Sequence, residues 1–341
     1  MKKVFLLFLT LFLTLFLTFS IFANDTFFSL VGGNIIPSQE GEIAIEMQQE
    51  VIYITFNPEY YEVSVEFDFF NLGETITLLV GFPYFEVGID GHGLIYDFKC
   101  WTNNAETNFS DKPIDTSWKQ NTELNKDELK SAYTRKITFE KNSVTKTKIS
   151  YKSDYGSSSS SLVASYLYGT GSSWKNPIQK ITLILENNVP YAYPSLLIMN
   201  KKDSYEDIST QFSRISDNKF QTTFYNIEPS YTDTFTFNLT NILNDTGPKI
   251  FPSYFYFNRK HISKDDLFWY TKPQLRLIRN TIYALHGYSF KSKDLQEFFS
   301  YNKTKNWEKP YTVNPNFSED ELSQIEKDNI KTILTEEQNR K

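Results

Sequence analysis

Three histidines and one cysteine are the side chains of this sequence best suited to metal or nucleophilic chemistry, and their spacing sets up neither. His92, His261 and His286 are too few and too scattered for a zinc site, which needs three or four nitrogen, sulfur or carboxylate ligands brought together. Neither His-Glu-x-x-His nor Cys-x-x-Cys occurs, so no metal and no cofactor is expected. Cys100 and His92 could pair as nucleophile and base. However, Leu94, Tyr96, Phe98 and Cys100 alternate as one face of a strand with Asp97 and Lys99 on the other, which makes Cys100 a small buried hydrophobe. Asp90-Gly91-His92-Gly93 reads as a turn. The Gly-x-Ser-x-Gly elbow and the phosphate-binding loop are both missing, and Gly91-x-Gly93 lacks the third glycine and following helix of a dinucleotide site. Glu319-Asp320-Glu321 is accounted for as negative charge at a helix start. No catalytic residue is assigned. Glycoside hydrolysis needs only two suitably spaced carboxylates, which a lone sequence does not reveal, so a wall-acting hydrolase stays as an alternative.

The elements that would position a site are clearest near the C-terminus. Pro273 suits a first helical turn, and Leu275, Ile278, Ile282 and Leu285 recur at spacings of three, four and three, giving one apolar stripe. Gly287 ends that helix in a left-handed conformation, Tyr288 folds back as the accompanying contact, and His286 sits at the negative end of the helix dipole. Ser292 starts a second short helix through Leu295, Phe298 and Phe299. Asn314-Pro315-Asn316 turns the chain. Ser318 to Glu321 then forms a capping box for a third helix with Leu322, Ile325 and Ile333 inward. Trp307 plugs the small core between them.

The run Tyr283-Ala284-Leu285-His286-Gly287, with the capped acidic helix about thirty residues later, resembles the YARHG module, named after its Tyr-Ala-Arg-His-Gly signature. The resemblance spans about residues 273 to 334. It implies an extracellular bacterial module and no reaction, and makes Tyr283, His286, Gly287, Tyr288 and Trp307 the candidate binding residues. Leu285 stands where the signature has arginine, which puts any ligand or ion-pair role of that arginine in doubt here.

The stretch 24–247 reads as β structure. In Tyr61 to Phe69 every odd position is apolar and every even one polar, which places one row on a core and the other in water. Residues 43–47, 51–56, 75–82, 145–151, 181–185 and 234–240 follow the same logic with less regularity. Pro58, Pro83, Pro190, Pro229 and Asn71-Leu72-Gly73 read as turns. With no long helical pattern between strands, an antiparallel β-sandwich of one or two units is expected, followed by a small all-α domain over 272–341. Residues 102–136 are polar and poorly patterned, with a short helix at Leu124 to Leu129. Ser153 to Ser161 looks like a connector, so a seam near 155 is the alternative to a single sandwich. Val31-Gly32-Gly33-Asn34 with Pro37, Val80-Gly81-Phe82-Pro83, and Gly169-Thr170-Gly171 with Trp174 resemble an uncharacterised family of secreted bacterial domains that often precedes a YARHG module. That similarity covers about residues 25 to 245 and implies a β fold and no activity. Residues 248–271 form an aromatic linker, including Tyr254 to Phe257 and Phe268 to Tyr270, read as rings that pack one domain on another, with an aromatic platform for sugar rings as the alternative.

Met1-Lys2-Lys3 followed by the apolar run Val4 to Phe22 reads as a secretory signal peptide, residues 1–23, ending at Ala23. The apolar run approaches membrane-spanning length, so a membrane-anchored accessory protein is a further alternative; after cleavage no stable membrane span is expected. The chain carries 35 basic against 41 acidic residues, a net charge of −6, and loss of Lys2 and Lys3 makes it more acidic, which disfavours nucleic acid as a partner. A single cysteine excludes internal disulfides, leaving burial to stabilise the fold, and 30 Phe, 22 Tyr and 5 Trp supply the area. The expectation is a secreted, non-enzymatic protein of the cell envelope with a binding or structural role. Its partner is left open between peptidoglycan, another envelope component and an envelope protein.

Overall fold

In the computed structural model, the alternating run around Val63 forms the strand Tyr60–Asn71, with Tyr61, Val63, Val65, Phe67 and Phe69 fully buried and Glu62 and Glu66 exposed. The structure describes residues 25–31, 34–37, 43–85, 95–114, 129–158, 161–201, 204–230, 233–241, 260–302 and 312–340. The apolar segment 1–23, the turn at His92, the residues 124–128 expected as helix, the rings at 254–257 and Trp307 lie outside them. Among the described residues no helix is long and apolar enough to cross a membrane.

The chain divides into two compact units. The first holds Met1–Glu186, Leu196–Ser213 and Gln221–Asn238; the second holds Asn187–Ser195, Arg214–Phe220 and Leu239–Lys341.

The first unit is built from antiparallel sheets. An eight-stranded sheet runs in the order Ser213–Arg214, Lys219–Ile227, Ile178–Asn187, Ile45–Phe56, Tyr60–Asn71, Val144–Asp154, Ile95–Thr102, Ala105–Glu106. One five-stranded sheet takes the order Asn34–Pro37, Thr26–Val31, Ile76–Phe85, Leu129–Phe139, Ser110–Pro113, and the other Gly156–Ser158, Ser161–Leu167, Thr234–Asn241, Ala192–Lys201, Ser204–Asp207. Both cover the same face of the large sheet, because side chains of one strand reach each of them. Phe69 meets Phe139 at 5.9 Å between ring centroids, while the Tyr61 hydroxyl donates to the Ser165 carbonyl at 3.5 Å. Among the described residues every sheet ends in a strand of two to four residues, a short template for pairing with another chain.

Several expectations are corrected. Pro83 is not a turn: it pairs with Ala132 inside Ile76–Phe85, beyond the last pair with the neighbouring strand, Thr26↔Gly81, where its missing N–H costs little. Ser153, Asp154 and residues 156–158 are strand rather than connector. Leu129–Phe139 is a central strand in a region that looked unpatterned. Its Arg135 is wholly buried and donates to the equally buried Asp25 at 2.6 Å and 3.3 Å. The face proposed for Cys100 breaks in phase. Asp97 takes φ 54° at a bulge where the register shifts between Ser150 and Lys152, so Ile95, Phe98 and Cys100 point inward and Tyr96 outward.

Among the described residues the second unit carries three helices, α1 (Lys272–Leu285), α2 (Lys293–Asn302) and α3 (Gln324–Asn339). Leu275, Ile278 and Ile282 of α1 pack with Ile262, Leu267, Tyr270, Leu322, Ile333 and Tyr193 into one core, and Ala284, Phe290, Leu295 and Phe299 form a smaller one. Leu285 departs from the predicted stripe and is 45% exposed, because the last residue of the helix lies past the core edge. The third helix also differs. Ser318 caps only a 3₁₀ turn, Glu319–Glu321; Leu322 is extended, and α3 starts afresh with a second capping box, Ser323 and Glu326.

Candidate functional site

The signature residues build a helix terminus. At the end of α1, Gly287 N–H donates to the Ala284 carbonyl at 3.0 Å and Tyr288 N–H to the Tyr283 carbonyl at 3.1 Å, the paired bonds of a Schellman cap. Gly287 has φ 77°, and a Cβ there would stand 2.7 Å from the Thr312 carbonyl oxygen and 2.8 Å from Asn314 N. Only glycine fits. The rings of Tyr283 and Tyr288 meet at 5.5 Å and both contact Phe317, at 6.4 Å and 5.3 Å. His286 lies 2.9 Å from Glu326 of α3, whose other oxygen accepts the Ser323 N–H at 2.8 Å. Burial alone would raise the Glu326 carboxyl, but the hydrogen bonds from His286 and Ser323 overcome it and hold its pKa below the usual carboxylate range. Four of the five candidate residues thus come together to close the module on itself, and Leu285, in place of the signature arginine, faces solvent.

A cleft of about 470 Å³ opens elsewhere in the same unit, between the start of α1, α2 and the two loops 187–191 and 217–218. Its construction starts at α1. Thr271 and Gln274 form a capping box, and the fully buried Gln274 donates to the carbonyls of Val189 at 3.1 Å and Ala192 at 2.8 Å, which clips the first loop onto the helix. The Asp217 carboxylate accepts the Lys272 N–H at 2.8 Å, a negative group at a helix N-terminus that holds the second loop. Arg214 fixes the same loop by donating to the Tyr270 carbonyl at 3.1 Å while lying 4.5 Å from the Phe220 ring centroid; burial brings its pKa down to about 10.

The cleft walls combine rings with paired polar groups. Tyr191, 41% exposed, faces Phe298 at 5.9 Å between centroids. Asn218 donates to the Asn188 side-chain oxygen at 2.9 Å. Arg276 bridges Asp294 at 2.5 Å and Ser292 at 3.0 Å, and that guanidinium holds the Asp294 carboxyl well below the ordinary range. Such a surface offers apolar ring faces beside donors and acceptors whose charges already cancel. It suits a neutral, hydroxyl-rich ligand. None of these residues was singled out in the sequence as a site: Asn188, Tyr191 and Asn218 sit on loops distant from α1, and only the turn cluster around Pro190 marked the first loop at all.

Cys100 is fully buried, donates to the Thr107 carbonyl at 3.1 Å, and burial pushes its thiol up to about 11. His261 is exposed, 3.8 Å from Asp328. Among the described residues no group of three histidine, cysteine or acidic side chains is placed to hold a metal. Of the linker rings, Trp269 packs on Phe220 at 4.5 Å and Tyr270 on Tyr193 at 4.6 Å.

No curated protein matches the chain. Among solved structures, a Legionella pneumophila protein described as a candidate nutrient binding protein is similar at 19% identity and a TM-score of 0.47, covering 93% of this chain and 98% of that one. An M1 zinc metallopeptidase from Deinococcus radiodurans is similar at 9% identity and a TM-score of 0.31, covering 60% of this chain and 44% of that one. The YARHG domain family matches residues 254–338, the segment that contains α1, α2 and all but the last residue of α3.

Proposed function

We propose that this is an exported protein of the bacterial envelope that works by binding, with the cleft of its C-terminal unit taking a neutral, hydroxyl-rich envelope component such as the glycan of peptidoglycan. The observation that carries the reading is the Tyr191–Phe298 ring pair set beside the self-neutralised Arg276–Asp294 and Asn188–Asn218 pairs. Sugar rings present flat C–H faces that pack on aromatic rings while their hydroxyls take up the neighbouring polar groups. Export is supported by the basic start and apolar run ending at Ala23, and by the match to a module of extracellular proteins. The signature turn of Gly287 closes the end of α1, the helix whose start carries Arg276 on the cleft.

Two measurements test this. Mass spectrometry of the protein from the producing cell is expected to find a mature N-terminus at Asn24; retention of residues 1–23 would make it an anchored protein instead. Fluorescently labelled exported chain is expected to decorate intact cells, and the Tyr191→Ala/Phe298→Ala variant to decorate them markedly less. Equal labelling by both proteins would remove the cleft from the function.

A further inference from the structure

Among the described residues, the large sheet of the first unit is covered on one face only. On its other face, register sets side chains from four strands into rows: Gln49–Asp68–Lys146, Val51–Glu66–Lys148–Trp101, Tyr53–Ser64–Ser150–Lys99 and Thr55–Glu62–Lys152–Tyr96. The two short serines lie between rows of long side chains, and a groove of about 610 Å³ opens over them and the neighbouring Glu66–Lys148–Trp101 row. From the geometry we infer that this groove is a second ligand site, distinct from the cleft, for a neutral glycan chain.

The charge pattern selects the ligand. Lys146 holds both oxygens of Asp68 at 2.8 Å and 2.7 Å, Lys148 lies 3.1 Å from Glu66, and Lys152 lies 2.9 Å from Asp97. An anionic ligand would have to break one of these pairs to gain another, and outside the pairs a cationic one meets a single exposed lining carboxylate, Glu62. A hydroxyl breaks none: each paired ammonium keeps further N–H donors and each carboxylate further lone pairs, so a polyol adds hydrogen bonds without displacing any. Same-face residues along a strand repeat at about 6.7 Å, so donors and acceptors recur at a fixed interval along the groove, as suits a chain of repeating units. Trp101, partly exposed with Lys148 Nζ 5.9 Å from its ring centre, supplies the apolar surface for a sugar face.

The test uses the exported chain carrying Tyr191→Ala and Phe298→Ala, which disables the cleft, with the tetrasaccharide of β-1,4-linked N-acetylglucosamine as probe in isothermal titration calorimetry. Binding is expected to persist in this background and to weaken by about tenfold or more on adding Trp101→Ala, the loss usual for a central aromatic anchor. Ser64→Tyr fills the groove with a residue favourable on a strand surface, touches no ion pair, and is expected to have the same effect with an unchanged melting temperature. Absence of binding in the cleft-disabled background, or binding that withstands both substitutions, would overturn the groove site while leaving the cleft to be judged by its own variants.

Discussion

His286 Nε2 lies 2.9 Å from Glu326 Oε1, joining the last turn of α1 to the first turn of α3 across 40 positions of sequence. The same carboxylate caps α3 through Ser323, so one acidic side chain, 5% exposed, serves two helix ends. Because its folded pKa lies below the unfolded value near 4.5, its contribution is present above that pH and is lost as pH falls through the lowered value. Glu326→Gln is expected to destabilise the second unit by about 1 to 2 kcal/mol at neutral pH and to flatten the loss of stability between pH 5 and 3. Denaturant titrations across that range would show it; parallel curves for both proteins would refute the role.

Gly287→Ala meets two penalties at once. The left-handed backbone costs about 1 kcal/mol, and the new Cβ would lie inside contact distance of Thr312 and Asn314. With overpacking added, a total of about 2 to 4 kcal/mol is expected in chemical denaturation. A loss under 1 kcal/mol would mean that the turn after α1 adapts.

The Asp25–Arg135 pair is wholly buried, and Asp25 is further held by the Thr147 hydroxyl at 3.3 Å and, through its carbonyl, by the Trp174 indole N–H at 2.9 Å. Removing one charge strands the other, so Arg135→Met is expected to cost about 3 to 5 kcal/mol, and Asp25→Asn with Arg135→Met together less than Arg135→Met alone. If the double variant is the weaker protein, the pair is worth more than the burial it requires.

Cys100 is expected to resist thiol reagents at pH 8 in the folded protein and to react once denatured, because the thiolate is scarce when burial pushes the thiol up to about 11. Rapid labelling under native conditions would contradict the burial.

Legibility in the sequence followed locality. Tyr60–Asn71 was plain because its inward face is apolar from Tyr61 to Phe69, and the cap at Gly287 because its signals are adjacent. Leu129–Phe139 was hidden, since Arg135 breaks the pattern and its partner Asp25 is 110 positions away. The break at Leu322 was missed because two capping boxes five residues apart read as one. At the cleft, Arg276 and Phe298 lie on recognisable helices, but Tyr191, Asn188 and Asn218 reach them only through the contacts of Gln274 and Asp217, which no local pattern encodes.

The most direct measurement is co-sedimentation of the exported chain and its Tyr191→Ala/Phe298→Ala variant with purified peptidoglycan sacculi, with the supernatant assayed for released sugar and peptide. Binding by the cleft predicts that the unaltered chain sediments, that the variant does so markedly less, and that nothing is released. Undiminished sedimentation of the variant would contradict the cleft, and release of soluble fragments would make the protein an enzyme.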